Sequence, residues 1–243
     1  MRQIWKGAVL SLVLLMVFAG GLGACSRAEH AGKAVVVEFE DHETDLNPYR
    51  TRMIVSPGYV RFDDGNNGPD FVLFDRHANV IYSSSSTDQR ILVVKGDARK
   101  HALPGKLVSR VEEGTEKLPD VSGRHVMHHK LMVNKQLCYD VYSAAGLLPK
   151  VVEAMREFQQ ALVAQHYDLL QKTPAGMVSD CDQFNNVYRP AAFLDFGFPI
   201  RSTNSGGRMR QLVDYHEDQK INPAWFVLPE GYEKFTIASM RGG

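Results

Sequence analysis

His125, His128 and His129 form the densest cluster of metal-ligand types in the chain. Imidazole nitrogens bind zinc, and two of them four residues apart on a helix would face one ion. The surrounding segment alternates as a strand, however, which sets His128 opposite the other two. It also separates the Cα atoms of His125 and His129 by roughly 13 Å, too far for shared coordination. Surface or partly satisfied imidazoles are therefore expected, and a metal-dependent enzyme is the least favoured function.

The other chemically suggestive stretches lose their chemistry in the same way. Residues 63–70 (DDGNNGPD) are rich in oxygen ligands, but Pro69 stands where an EF-hand needs glycine and no Glu closes the loop, so a hairpin turn is expected. Asp180 and Asp182 flank Cys181 and would suit acid–base work; in a loop they read as solvated capping groups. Four serines at 83–86 have no nearby base and read as a polar strand end or loop. The chain contains no G-x-S-x-G, S-x-x-K or H-E-x-x-H and no phosphate-cradling glycine loop. No catalytic residue, metal or cofactor is called.

The elements that would position these groups are mostly strands. Residues 34–40 (AVVVEFE), 51–55, 59–62, 71–74, 80–82 and 90–94 are short, apolar or β-branched, and separated by Gly, Pro, Asn and Asp. That rhythm predicts an antiparallel meander rather than βαβ units. Met53 and Val55 share a face opposite Arg52 and Ile54, and Val60 and Phe62 oppose Tyr59 and Arg61. The segments FVLF (71–74) and ILVV (91–94) are apolar on both faces, so the sheet there needs a second cover: a helix, another sheet or a ligand. Residues 95–123 are charged and loop-like, with strand pieces at 107–112. Residues 124–133 and 136–142 read as a hairpin around Asn134 and Lys135. One strong helix is predicted over 149–171, with Val151, Met155, Phe158, Leu162 and Leu169 at helical steps, Pro149 in its first turn and Pro174 beyond its end. Gly206 and Gly207 mark a turn before a strand at 208–216, and 222–237 ends the domain. Tyr188, Phe193, Phe196, Phe198 and Trp225 are candidates for a pocket or a partner surface, with core packing as the default.

The first 24 residues read as an export signal. Arg2 and Lys6 precede an uncharged apolar run at 8–18 and then small residues, a pattern too short to cross a bilayer core of roughly 30 Å. Leu22-Gly23-Ala24-Cys25 resembles the lipobox of bacterial lipoproteins, in which the cysteine thiol takes a diacylglyceryl group; the alternative is an uncleaved anchor helix over 8–24. In that family a serine after the cysteine, here Ser26, permits export to the outer membrane. Cys25 is thus the expected lipidation site, with 25–33 a polar tether and 34–243 a single domain. Two thiols remain, Cys138 and Cys181, and an even remainder in an exported chain predicts one disulfide, worth about 4 kcal/mol for a loop of about 43 residues. A redox or metal pair lacks the usual close spacing.

Composition is consistent with a soluble domain on such an anchor. The 243 residues are 44% hydrophobic and 23% charged, with 28 Lys+Arg against 28 Asp+Glu. Loss of 1–24 removes two cations and leaves about −2, which excludes the basic excess of a nucleic-acid binder.

Residues 226–234 (FVLPEGYEK) are similar to the F-x-x-P-x-G-Y ending of an uncharacterised family of small exported proteins. Residues 135–142 (KQLCYDVY) resemble its cysteine-bearing strand before a helix. That family is related to the Lol-type periplasmic lipoprotein carriers. Over about half of the mature chain the resemblance implies an α+β fold, a curved antiparallel half-barrel partly wrapping one long helix, and an apolar ligand. The function expected is non-catalytic: an outer-membrane-anchored, periplasm-facing lipoprotein that binds lipid or lipoprotein acyl chains in an apolar groove. The alternative is a structural envelope lipoprotein that recruits a protein partner.

Overall fold

The computed structural model describes residues 32–97, 99, 101–174 and 176–240. The signal segment, Cys25, Ser26 and the tether as far as residue 31 lie outside them. Lys33 already opens the first strand, one residue before the predicted start of the domain.

Among the described residues the strands form one 12-stranded sheet, curved and unclosed. The predicted meander is its first half: β2 (Tyr49–Val55), β3 (Tyr59–Asp63), β4 (Phe71–Asp75), β5 (Val80–Ser85) and β6 (Arg90–Lys95), each antiparallel to the next. β1 (Lys33–His42) joins β2 to the long β11 (Met209–Lys220). Beyond β11 lie β10 (Phe198–Asn204), β9 (Gln136–Ala144), β8 (Val126–Val133) and β7 (Ser109–Glu113). At the opposite edge β12 (Glu233–Phe235) adds to β6 in parallel, while all the other pairings are antiparallel. The β8–β9 turn is the expected one. Asn134 and Lys135 both adopt positive φ, 48° and 69°, as a two-residue turn between right-twisted strands requires.

The single helix predicted over 149–171 is broken. α1 (Pro149–Ala161) and α2 (Val163–Lys172) meet at Leu162, whose N–H donates to Gln159 O and whose ψ is −13°, well short of the usual α value of about −42°. No Pro or Gly marks the joint. Ala161 and Val163, on either side of it, are both buried, so the chain bends to pack both against the core.

The strands that are apolar on both faces acquire two different covers. Met53, Val55, Val60 and Phe74 point into the main core with Val151, Ala154 and Met155 of α1, and Phe158 packs its ring against Phe62 and Phe74 at 4.9 and 5.9 Å. Ile54, Phe71 and Leu73 face the other way, beneath a C-terminal strap carrying Ile221, Trp225, Phe226 and Leu228. Phe226 stacks on Tyr59 at 5.2 Å. Burial of each such side chain contributes roughly 1.5–3 kcal/mol, and that holds the strap in place of the second sheet or ligand the pattern left open. Cys138 and Cys181 form the expected disulfide, with Cα atoms 5.1 Å apart; it ties β9 to the short helix α3 (Asp180–Gln183). No helix among the described residues is long and apolar enough to cross a membrane.

Candidate functional site

α1 does not fill the concave side of the sheet. A groove of about 570 Å³ remains between the helix and the strands. One end is apolar, lined by Phe62, Val72, Met155, Phe158 and Phe193; the other is polar, lined by Thr51, Tyr139, Ser202, Asn204, Arg208 and Arg210.

The polar end is built by five strands, β1, β2, β9, β10 and β11, and by the β10–β11 turn. Asp41 follows Val37 and Phe39 at strand spacing on β1 and is fully buried. Its register partner on β11 is Arg210, which donates from Nε and Nη2 at 2.8 Å each, and Thr51 of β2 donates to the same carboxylate at 2.6 Å. Burial works against the charge on Asp41. The bonds from Arg210 and Thr51 and the charges of Arg210 and Arg208 outweigh it and hold the carboxyl below its ordinary value. Arg210 also lies over the Phe39 ring, 4.9 Å from its centroid. Arg208 is set by the β10–β11 turn: Asn204 Oδ1 accepts from the backbone N–H of Gly206 and of Arg208, at 3.0 and 3.1 Å, while Gly207 takes φ 79°. Its guanidinium reaches Glu43 at 3.3 Å and Asp41 at 3.7 Å, and donates to the Tyr49 hydroxyl at 3.4 Å. Tyr49 in turn donates to Glu43. Opposite Asn204, Tyr139 of β9 stacks on Phe193 at 4.8 Å. Burial pushes its phenol up to about 12, against the pull of the Arg208 charge.

A second buried carboxylate, Asp63, sits at the end of β3. Arg61 donates to it from Nε at 2.6 Å and Arg52 from Nε and Nη2 at 2.9 and 2.8 Å. Nη1 and Nη2 of Arg61 donate to Trp225 O and Gly68 O, and its plane lies over Phe71. The Asp–Gly–Asn run therefore makes a turn around an ion pair: Gly65 N–H donates to Asp63, and Asp64 accepts from Asn66 N–H.

The histidine cluster is dispersed. His125 bonds Asp120 at 2.9 Å, His128 bonds Asp140 at 2.8 Å, and His129 stacks on Phe196 at 4.1 Å. His128 is wedged between Tyr142, stacked at 4.1 Å, and the backbone of Gly114, where a Cβ would lie only 1.8 Å from Nδ1. Among the described residues no group of three or more His, Cys, Asp or Glu is arranged to hold a metal. Ser179 caps α3, accepting from Asp182 N–H and donating to the Asp182 carboxylate; Asp180 accepts from Asn134, and Ser86 donates to Asp70.

The five candidate aromatics do not form one surface. Phe193 lines the groove. Tyr188 lines a separate cleft of about 770 Å³ with His101, Leu103 and Arg189. Phe196 covers His129, Phe198 is buried against Phe39, and Trp225 belongs to the strap. The polar end of the groove escaped the sequence reading, although a signal existed. Val35, Val37, Phe39 and Asp41 share one strand parity, as do Arg210 and Leu212, so alternation alone aims Asp41 and Arg210 inward.

No protein-family profile matches the chain, and no curated protein does. Among solved structures it is similar to PNGF-II, with 9% identity over 86% of this chain and a TM-score of 0.41. It spans 32% of PNGF-II, about a third of that protein's length. An uncharacterised conserved protein from Thermus thermophilus shares 9% identity, over 85% of this chain and 92% of that one, with a TM-score of 0.42. MucB shares 12% over 84% of this chain and 60% of its own, at 0.36. These values assign the chain neither a family nor an activity, and the groove has to be read from its own residues.

Proposed function

We propose that the protein is a lipid-anchored exported binding module, without catalytic activity, whose groove accepts the acyl chain of a lipid or lipoprotein. The observation that carries this is the unfilled space between α1 and the sheet, walled by Phe62, Val72, Met155, Phe158 and Phe193. Its 570 Å³ falls within the range of roughly 300–1,000 Å³ usual for small-ligand sites, and a mostly apolar wall with a few polar groups at one end suits a chain with a head. In this reading the fold is an α+β half-barrel of the Lol type, in which the sheet partly wraps the broken helix. Cys25 carries the anchor, and Ser26 directs the protein to the outer membrane, facing the periplasm. Two acyl signals at one terminus hold a protein to a bilayer far more durably than one.

Mass spectrometry of gently purified protein, together with uptake of a fluorescent acyl probe, tests the groove. A retained lipid or saturable uptake is expected; neither retention nor uptake overturns the proposal. Radiolabelled palmitate should label the wild type and not Cys25→Ser. A second reading, recruitment of an envelope protein, is favoured by the larger cleft, where Tyr188, Leu103 and Pro190 lie beside Arg189 and Arg156. Crosslinking in intact cells would then recover one dominant protein through that cleft.

A further inference from the structure

We infer that the groove selects an amphiphile with an anionic oxygen head, a carboxylate or a phosphate monoester, held by Tyr139 and Arg208 while its chain lies along Phe62, Phe158 and Phe193. The assignment rests on the groove-binding reading and names the class of ligand.

It follows from an account of which polar groups at that end are already committed. Each nearby carboxylate is. Asp41 is buried under Arg210 and Thr51, Asp63 under Arg52 and Arg61, and Glu43 takes Tyr49 and Arg208. A cationic head would find no open counter-charge. The Asn204 carbonyl oxygen is likewise occupied by two backbone N–H groups of its own turn, which leaves its NH2 as the polar group to offer.

Among the charged and phenolic groups, what stays open is a set of donors; the neutral Gln159, Asn186 and Ser202 side chains also line the groove and can donate or accept. The Tyr139 hydroxyl donates to no group among the described residues; only burial and more distant charges act on it. Because burial holds the phenol neutral well above physiological pH, it is a standing O–H donor. Two charges act on that phenol, Arg208 and, opposing it, Asp182; only Arg208 lines the groove, so cation and donor share the same end of it. Arg208 is 48% exposed and its contacts run through Nε and Nη2 at 3.3–3.7 Å, which leaves Nη1 for a ligand. An anionic oxygen is the acceptor that satisfies a neutral phenol and a guanidinium together, because charge-assisted bonds are about twice as strong as neutral ones. Beside the apolar wall of Phe193 and Phe62, the buried Tyr139 donor gains more from such a head than it would in water.

The test is displacement of a neutral apolar dye from the purified full chain by four ligands of equal chain length: hexadecanoate, hexadecyl phosphate, hexadecanol and methyl hexadecanoate. The acid or the phosphate is expected to displace dye at about tenfold lower concentration than the alcohol or ester. Preference between the two anions identifies the head as carboxylate or phosphate. In Tyr139→Phe/Arg208→Gln the anionic ligands should fall to the level of the ester, with an unchanged urea unfolding midpoint as the sign of an intact fold. The single Arg208→Gln, on a half-exposed side chain, should lose part of the preference and guards against a folding defect in the double variant. Equal displacement by all four ligands in the wild type, or a preference that survives both variants, overturns the anionic head while leaving chain binding in place. Displacement by none of them overturns the groove reading itself, and the head assignment with it.

Discussion

Among the described residues two aspartates are buried, each bound by arginine, and they differ in what the arginines have left to do. Around Asp63 each nitrogen of Arg61 makes a hydrogen bond and the side chain is 3% exposed, because the strap closes over it through Trp225. Around Asp41 the arginines are 27% and 48% exposed and line a groove. Asp63 also borders the groove, but its partner Arg61 is shut beneath the strap, whereas Arg208 and Arg210 line the open space. What decides between them is whether a strap or an open space lies above.

The sharpest way to break that contrast is to remove each carboxylate in turn. Asp63→Ala leaves Arg61 charged beneath the strap, and a loss of about 3–5 kcal/mol is expected in chemical denaturation. Asp41→Ala should cost less, about 1–3 kcal/mol, because water in the groove can solvate Arg210 and Arg208. Equal losses would sink the distinction. Phe226→Ala tests the strap alone: it should cost about 3 kcal/mol and expose Tyr59 to quenching, with groove binding unaffected.

Replacing both Cys138 and Cys181 by Ala should cost about 2–4 kcal/mol. The adjoining Tyr139 should loosen with it, so here dye affinity is expected to fall as well.

Acid titration resolves the two regions less directly. Asp41 and Asp63 ionise below the ordinary 3.8, so the stability they lend is complete above that value and drains as the pH falls through their lower folded values. His129 and His166 are held below 6.5, chiefly by burial, so the unfolded chain takes up their protons first and a separate loss begins as the pH drops past 6.5. Urea midpoints at pH 8, 5 and 3 should decline in two stages; a flat profile contradicts both shifts. The smallest effect is expected of Arg208→Gln, within about 0.5 kcal/mol in stability, since its side chain is half exposed and its change should register in ligand preference instead.

Much of this architecture is legible without coordinates. Turn residues between short apolar runs give the meander, Asn134 and Lys135 its β8–β9 turn, and the even cysteine remainder the disulfide between Cys138 and Cys181. The kink at Leu162 is not, because Ala161, Leu162 and Val163 are all acceptable in a helix interior and only the core they must reach bends it. The aromatics singled out from the sequence scatter for a similar reason. Phe193 and Phe198 are five residues apart, yet one faces the groove and the other is packed against Phe39.

By itself the sequence determined the strand rhythm, the alternation of faces and the cysteine pairing, because those depend on residues close along the chain or on simple parity. It also determined that β4 and β6 needed a second cover, since an apolar run exposes one face too many for a sheet covered on one side. Only the tertiary structure decided that over β4 the cover is the chain's own C-terminal strap. It alone brought Asp41 of β1, Tyr139 of β9 and Arg208 of the β10–β11 turn to one end of an unfilled space. Long-range register sets which side chains meet across a curved sheet, and no local pattern encodes how much room the helix leaves beneath it.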